Sequence, residues 1–117
     1  MGPTYQYKAK LVRVVDGDTV WLDVDVGFRT IVSIDFRLYG INAPETKGPT
    51  KAAGLAATQF LSSFLSGSDK DLVVESVKTE KYGRWLGTIW VHTFGKSDWA
   101  SANQAMLDNN HAVVYLP

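Results

Sequence analysis

Along much of this chain apolar and polar residues alternate with a period of two, and the breaks in that rhythm mark its turns. From Thr19 to Val26, Val20, Leu22, Val24 and Val26 share one face while Trp21, Asp23 and Asp25 share the other, which predicts a half-buried strand. The β-prone stretch Tyr7 to Val15 comes before it, separated by the turn signal Asp16-Gly17-Asp18. After Gly27 a third strand is predicted, with Val32, Ile34, Phe36 and Leu38 facing one way and Ser33, Asp35, Arg37 and Tyr39 the other. Gly40 and Pro44 end it and open a loop running to Pro49. The period then changes. Ala53, Ala57, Phe60, Leu61 and Phe64 form the apolar stripe of a helix with Thr50 as N-cap and Gly67 past its end. Leu72–Val77 and Trp85–Val91 read as further strands. Asp98 is a candidate cap for a second helix carrying Trp99, Ala102, Met106 and Leu107, and Ala112–Leu116 is a last extended piece.

Five principal strands with a helix between the third and fourth predict a mainly β, α+β fold, a small five-stranded closed barrel of the OB type flanked by two helices. At 117 residues, with 45% hydrophobic composition, the chain is expected to form a single domain over residues 1–117. The four tryptophans are expected in the core. Twelve Lys plus Arg balance twelve Asp plus Glu, so no global positive field favours a polyanion, and any contact with nucleic acid has to come from a local patch. The absence of cysteine excludes disulfides and thiolate metal sites. No apolar run is long enough to cross a bilayer as a helix. A monomer with no membrane association is expected, and the sequence leaves its compartment open.

Three polar islands interrupt the apolar pattern: Asp16-Gly17-Asp18-Thr19, then Arg37 through Asn42-Ala43-Pro44 to Glu45, then Lys81-Tyr82-Gly83-Arg84. Together they offer oxygen donors suited to Ca²⁺ or Mg²⁺, two guanidinium groups, and a further carboxylate able to handle a proton. Phosphodiester cleavage needs those functions, because the charge on the phosphate repels an attacking hydroxide. Each island also has a purely structural reading. The first is a tight turn in which Gly17 supplies positive φ and the aspartates bond local amides. In the second, Arg37 pairs with Asp35 or Asp23 on a wet sheet face. The third is a basic hairpin tip. His92 and His111 are isolated and read as satisfied or solvent-facing side chains.

In the order and spacing of these islands, including the eight residues from Arg37 to Glu45 and the Tyr82-Gly83-Arg84 turn, the chain resembles the staphylococcal nuclease family from about Lys8 to Pro117. The resemblance implies an OB barrel and a calcium-dependent endonuclease acting on single-stranded or frayed DNA and on RNA. Such an enzyme cuts the P–O5′ bond to leave 3′-phosphate and 5′-hydroxyl ends. It places Asp18 at a calcium carboxylate, Asn42 at a second calcium ligand, and Ala43 where a backbone carbonyl reaches the ion. Glu45 falls at the general base or water-orienting group, and Arg37 and Arg84 at the phosphate-clamping arginines. Lys81, Tyr82 and Tyr115 fall at substrate-side positions. The chain departs from the family where Asn42 stands in place of an aspartate and Val113 in place of an aromatic. Its neutral balance replaces a basic one, and the family's third helix falls beyond Pro117. These departures motivate an alternative, a catalytically weakened or inactive OB module that binds nucleic acid or protein.

Overall fold

The structure is a computed structural model that describes residues 5–79, 85–93 and 98–115. The long β1 (Tyr5–Asp16) turns at Gly17-Asp18 into β2 (Thr19–Asp25), and β2 turns through residues 26–30 into β3 (Ile31–Leu38). A two-residue β4 (Ile41–Asn42) follows, then a 3-10 turn at Gly48–Thr50 and helix α1 (Lys51–Ser66). Next come β5 (Leu72–Thr79), β6 (Trp85–His92), β7 (Trp99–Ser101), α2 (Ala102–Asp108) and β8 (Val113–Val114).

Neighbouring strands pair β3-β2-β1-β5-β6, and β3 and β6 pair in parallel at Phe36↔Trp85, Arg37↔Leu86 and Leu38↔Gly87, closing the circuit. This five-stranded closed barrel with two helices has the OB topology. The alternation read in β2 becomes its lining: Val20, Leu22 and Val24 are buried and meet Phe36, Leu38, Val74, Ile89 and Val91 from the other strands. Ile41, Leu61 of α1 and Met106 of α2 complete the same core. Burying each such side chain contributes about 1.5–3 kcal/mol toward offsetting the chain entropy lost on folding.

Several sequence expectations are corrected by longer-range contacts. Strand β2 ends at Asp25, so Val26 lies outside the strand and is exposed. Ala53 is exposed on α1, and it is Gly54, Ala57, Leu61 and Leu65 that face inward. Thr50 makes no side-chain cap bond to the helix; its hydroxyl donates instead to the Glu45 carbonyl (2.9 Å). Asp98 does not cap α2. Ser101 does, accepting from the Gln104 amide (3.1 Å), because Trp99–Ser101 is drawn into an antiparallel pairing with Trp90–His92. The tryptophans do not form the core: Trp21 and Trp90 are half-buried, while Trp85 and Trp99 are 44% and 39% exposed. His92 is buried and satisfied, with Nδ1 2.6 Å from Asp69 Oδ1, and this pair joins the end of α1 to β6.

Candidate active site at the barrel mouth

The first two polar islands meet. Arg37 on β3 stands opposite Thr19 on β2, and the Leu38 amide donates to the Asp18 carbonyl (2.8 Å), so the β1–β2 turn is stitched to the end of β3. Gly17 does not have the positive φ expected of it; among the described residues the glycines with positive φ are Gly27, Gly40 and Gly48. A glycine is needed at 17 for room: a Cβ there would stand 2.7 Å from Ala43 Cβ and 2.8 Å from Ala57 Cβ. Both neighbours are methyl groups fixed to backbone, so the turn is clasped between the 42–46 loop and α1.

That clasp orients Asp18. Its carboxylate is nearly buried; Oδ2 accepts from the Ala43 amide (3.0 Å) and Oδ1 from the Thr19 hydroxyl (3.1 Å). Asp16 Oδ1 accepts from the Asp18 amide (3.1 Å). Burial first, then the proximity of Asp18, raises the Asp16 carboxyl above the ordinary carboxylate value of 3.8, outweighing the opposing bond from the Asp18 amide. Two acidic side chains are therefore crowded at one turn, an arrangement a cation would relieve.

Arg37 does not pair with Asp35 or Asp23. Its Nη2 donates to the Ile41 carbonyl (3.2 Å) and to Asn42 Oδ1 (3.1 Å), and Nη1 lies 3.7 Å from Asp18 Oδ2. The guanidinium carbon sits 5.4 Å from the centre of the Tyr115 ring, within reach of a cation–π contact. Tyr115 is brought there by β8, which pairs with β4 at Ile41↔Val114 and Asn42↔Val113, and by its own amide bond to the Gly40 carbonyl (2.8 Å). Val113 is largely exposed beside Asn42.

Glu45 lies two residues past Ala43 on the same loop, with its side chain exposed to solvent. Its backbone is held firmly. Thr50 Oγ1 donates to its carbonyl, and α1 approaches so closely that a Cβ on Gly54 would overlap the Glu45 carbonyl group and lie 2.8 Å from Thr46 Cα. Sequence reasoning did not single out Gly54, although a glycine inside an otherwise helical pattern signals a close approach. It also missed Asn103, a buried side chain on α2. Asn103 accepts from the Ile89 amide (3.1 Å) and donates to the carbonyls of Tyr39 (2.9 Å) and Gly87 (3.1 Å), bracing the closing seam. The third island, Lys81, Tyr82, Gly83 and Arg84, lies outside the described residues, while β6 begins at the next residue, Trp85.

The structure thus gathers Asp18, Arg37, Asn42, Ala43 and Tyr115 at one mouth of the barrel, with Asp16 bonded to the Asp18 amide there. Among the described residues no three acidic, histidine or cysteine side chains form a metal cluster. The donors present are oxygens, two of them on carboxylates, which fits a hard divalent ion with modest charge.

A closed five-stranded barrel of this topology places the chain in the class of OB-fold domains, a fold on which oligonucleotide- and oligosaccharide-binding sites are built. Residues 35–116 match the model of the family described as staphylococcal nuclease homologue, and the chain belongs to that family. It is similar to the protein ParB of Escherichia coli (33% identity, 74% of this chain and 44% of ParB). It is also similar to the thermonucleases of Staphylococcus hyicus (29% identity, 70% of this chain and 47% of that enzyme) and Staphylococcus intermedius (33%, 68% and 46%). The chain spans about half the length of each of these relatives.

Proposed function

We propose that this chain is a single-domain, monomeric phosphodiesterase that hydrolyses single-stranded or frayed DNA and RNA with the help of calcium, leaving 3′-phosphate and 5′-hydroxyl ends. The observation that carries this reading is the Arg37 guanidinium, held beside the nearly buried Asp18 carboxylate at the mouth of a barrel whose family includes thermonucleases. A guanidinium offers a planar fork of donors that matches a phosphate. The oxygens of Asp18 and the Ala43 carbonyl, with Asp16 beside them, are the donors offered to a hard divalent ion, which would neutralise a phosphoryl oxygen when bound.

The chain's own residues then divide the work. Arg37 holds the scissile phosphate and stabilises the charge that builds on its oxygens, and Arg84 is assigned the same task from the third island. Glu45, a solvent-facing carboxylate on a fixed backbone, accepts a proton from water as the water oxygen bonds to phosphorus. The P–O5′ bond breaks and O5′ leaves as a hydroxyl after taking up a proton. Lys81, Tyr82 and Tyr115 contact the substrate, Tyr115 from its place beside the Arg37 guanidinium.

The test is incubation with single-stranded DNA and RNA, with Ca²⁺ or with chelator, followed by end-group analysis. Calcium-stimulated 3′-phosphate ends that disappear in purified Glu45→Gln and Arg37→Ala variants are expected. Undiminished cleavage in both variants would refute the assignment. A second reading is favoured by Asn42 and by the balanced charge: a module that binds oligonucleotide or protein without cutting. It predicts calcium-independent binding with no new ends.

A further inference from the structure

We propose that Asn42 is a positioning residue for the Arg37 guanidinium rather than a donor to a metal ion. Its neutral amide holds the guanidinium in line while leaving it free to transfer to a phosphate. This rests on the phosphodiesterase reading above.

The geometry separates Asn42 from the other oxygen donors. Asp18 spends its carboxylate on an amide and a hydroxyl, and its nearest cationic atom, Arg37 Nη1, stands 3.7 Å away, beyond hydrogen-bond length. Asn42 Oδ1 instead accepts directly from Arg37 Nη2 at 3.1 Å, and the same nitrogen is shared with the Ile41 carbonyl at 3.2 Å. An oxygen that serves a guanidinium cannot also face a divalent cation without bringing two positive groups together. Asn42 is moreover held by its register with Val113, and the Tyr115 ring lies against the guanidinium, 5.4 Å from its carbon to the ring centre. Arg37 is thus confined by two neutral oxygens, an aromatic face and one carboxylate at a distance.

That composition has a chemical consequence. An aspartate at position 42 would face the guanidinium with a full charge and form a charge-assisted pair, and a phosphate would have to compete with it. The amide keeps the direction of the contact and removes its net charge, so the phosphate wins the exchange more easily. The same change lowers the charge available to a cation. In this chain position 42 therefore trades ion affinity for a transferable arginine.

The test compares wild type with Asn42→Ala and Asn42→Asp by three readouts: calcium calorimetry, the Arg37 Nε–H resonance with its exchange rate, and binding of a single-stranded oligodeoxynucleotide in chelator. In Asn42→Ala, calcium affinity is expected to stay within about twofold of wild type, because no ion donor has been lost. Arg37 Nε–H exchange should accelerate about tenfold or more as its confinement is lost. In Asn42→Asp, Arg37 should stay protected, calcium should bind more tightly, and oligonucleotide should bind more weakly. Unchanged Arg37 exchange in Asn42→Ala would overturn the proposal. So would a tenfold loss of calcium affinity in that variant, which would make Asn42 an ion donor after all. If the wild type cuts no nucleic acid, the phosphodiesterase reading falls by itself. The Arg37 exchange measurement then still decides the role of Asn42.

Discussion

Replacing Gly54 with alanine separates two effects that usually travel together. Gly54 lies inside the sixteen-residue α1, where glycine is less favourable than alanine by about 1 kcal/mol, so intrinsic propensity alone makes the substitution stabilising. The structure opposes that gain. The new methyl would lie 2.5 Å from the Glu45 carbonyl carbon and 2.8 Å from Thr46 Cα, whereas carbon atoms in contact sit about 3.5–4.0 Å apart. Helix or loop must therefore move by about 1 Å, and both obstacles are backbone, with no flexible side chain to swing aside. Overpacking of this kind costs about 1–3 kcal/mol. Set against the propensity gain, it leaves a net loss near 1 kcal/mol, a fall in Tm of about 4 °C. The effect on chemistry should be larger than the effect on stability. A shift of about 1 Å in the loop that carries Glu45 is enough to lower turnover about 10²-fold. Thermal melts and initial rates of oligonucleotide cleavage are the two measurements. Gly67→Ala is the control, since its nearest contacts at 3.4–3.5 Å are ordinary and its φ is negative. A Gly54→Ala protein that melts higher than wild type and cuts at the wild-type rate would refute the argument, because α1 would then not be seated on Glu45.

The remaining expectations concern charge and closure. The Asp16 carboxyl titrates above its unfolded value, so the native state binds more protons than the unfolded chain between those two pH values. Stability contributed at this group is therefore lost as pH rises through that window. Asp16→Asn, melted in chelator, should be more stable than wild type at neutral pH, the difference vanishing below the ordinary carboxylate range; a constant difference at every pH would contradict this. Asn103→Ala leaves the Ile89 amide and the Tyr39 carbonyl without their buried partner. At about 1–3 kcal/mol for each such group, urea unfolding should show a loss of about 3 kcal/mol, and a loss well under 1 kcal/mol would mean the seam is braced elsewhere. Arg37→Lys keeps the charge but cannot reproduce the planar fork that sets Nη2 against the Ile41 and Asn42 oxygens while Nη1 lies near Asp18. Turnover should fall about 10²–10³-fold, and near-normal turnover would show that the planar fork is not used.

What the sequence discloses about this fold is what depends on near neighbours. The alternation in β2 named Val20, Leu22 and Val24 correctly, and all three line the barrel. The same alternation in β3 placed Val32 with Phe36 and Leu38, yet Val32 is 38% exposed. Periodicity identifies a face; it does not say how far along a strand another layer covers it. Asp98 and Ser101 are both good N-cap residues, and the choice between them was made by the pairing of Trp99–Ser101 with Trp90–His92, which no local pattern carries. Gly17 fits a turn by local chemistry, but its requirement comes from Ala43 and Ala57, distant in sequence. The site shows the same division. Its islands are visible because polar groups interrupt apolar strands. That Arg37 turns to Asn42 and Tyr115 and away from Asp35 depends on the strand pairing of β4 with β8.

The position of the site follows from how the barrel closes. Every other pairing of the five barrel strands is antiparallel; the closing one is the parallel contact of β3 with β6, three residue pairs long, with Arg37 in its middle. So short a seam cannot hold by its ladder alone. It is reinforced where it ends: the Tyr39 amide donates to the Gly87 carbonyl (2.9 Å), and Asn103 ties Tyr39, Gly87 and Ile89 to α2. The bonds that shut the barrel therefore also fix the backbone from which Arg37 projects, and they fix the start of the strand that follows Arg84. Loosening the seam should lower stability and misalign Arg37 together. At Gly54, on the buried side of α1, the contact is with the Glu45 and Thr46 backbone and not with the seam, so there the alignment of a functional group can be disturbed at a smaller cost to the fold. Asn103→Ala and Gly54→Ala should consequently lie far apart on a plot of lost turnover against lost stability.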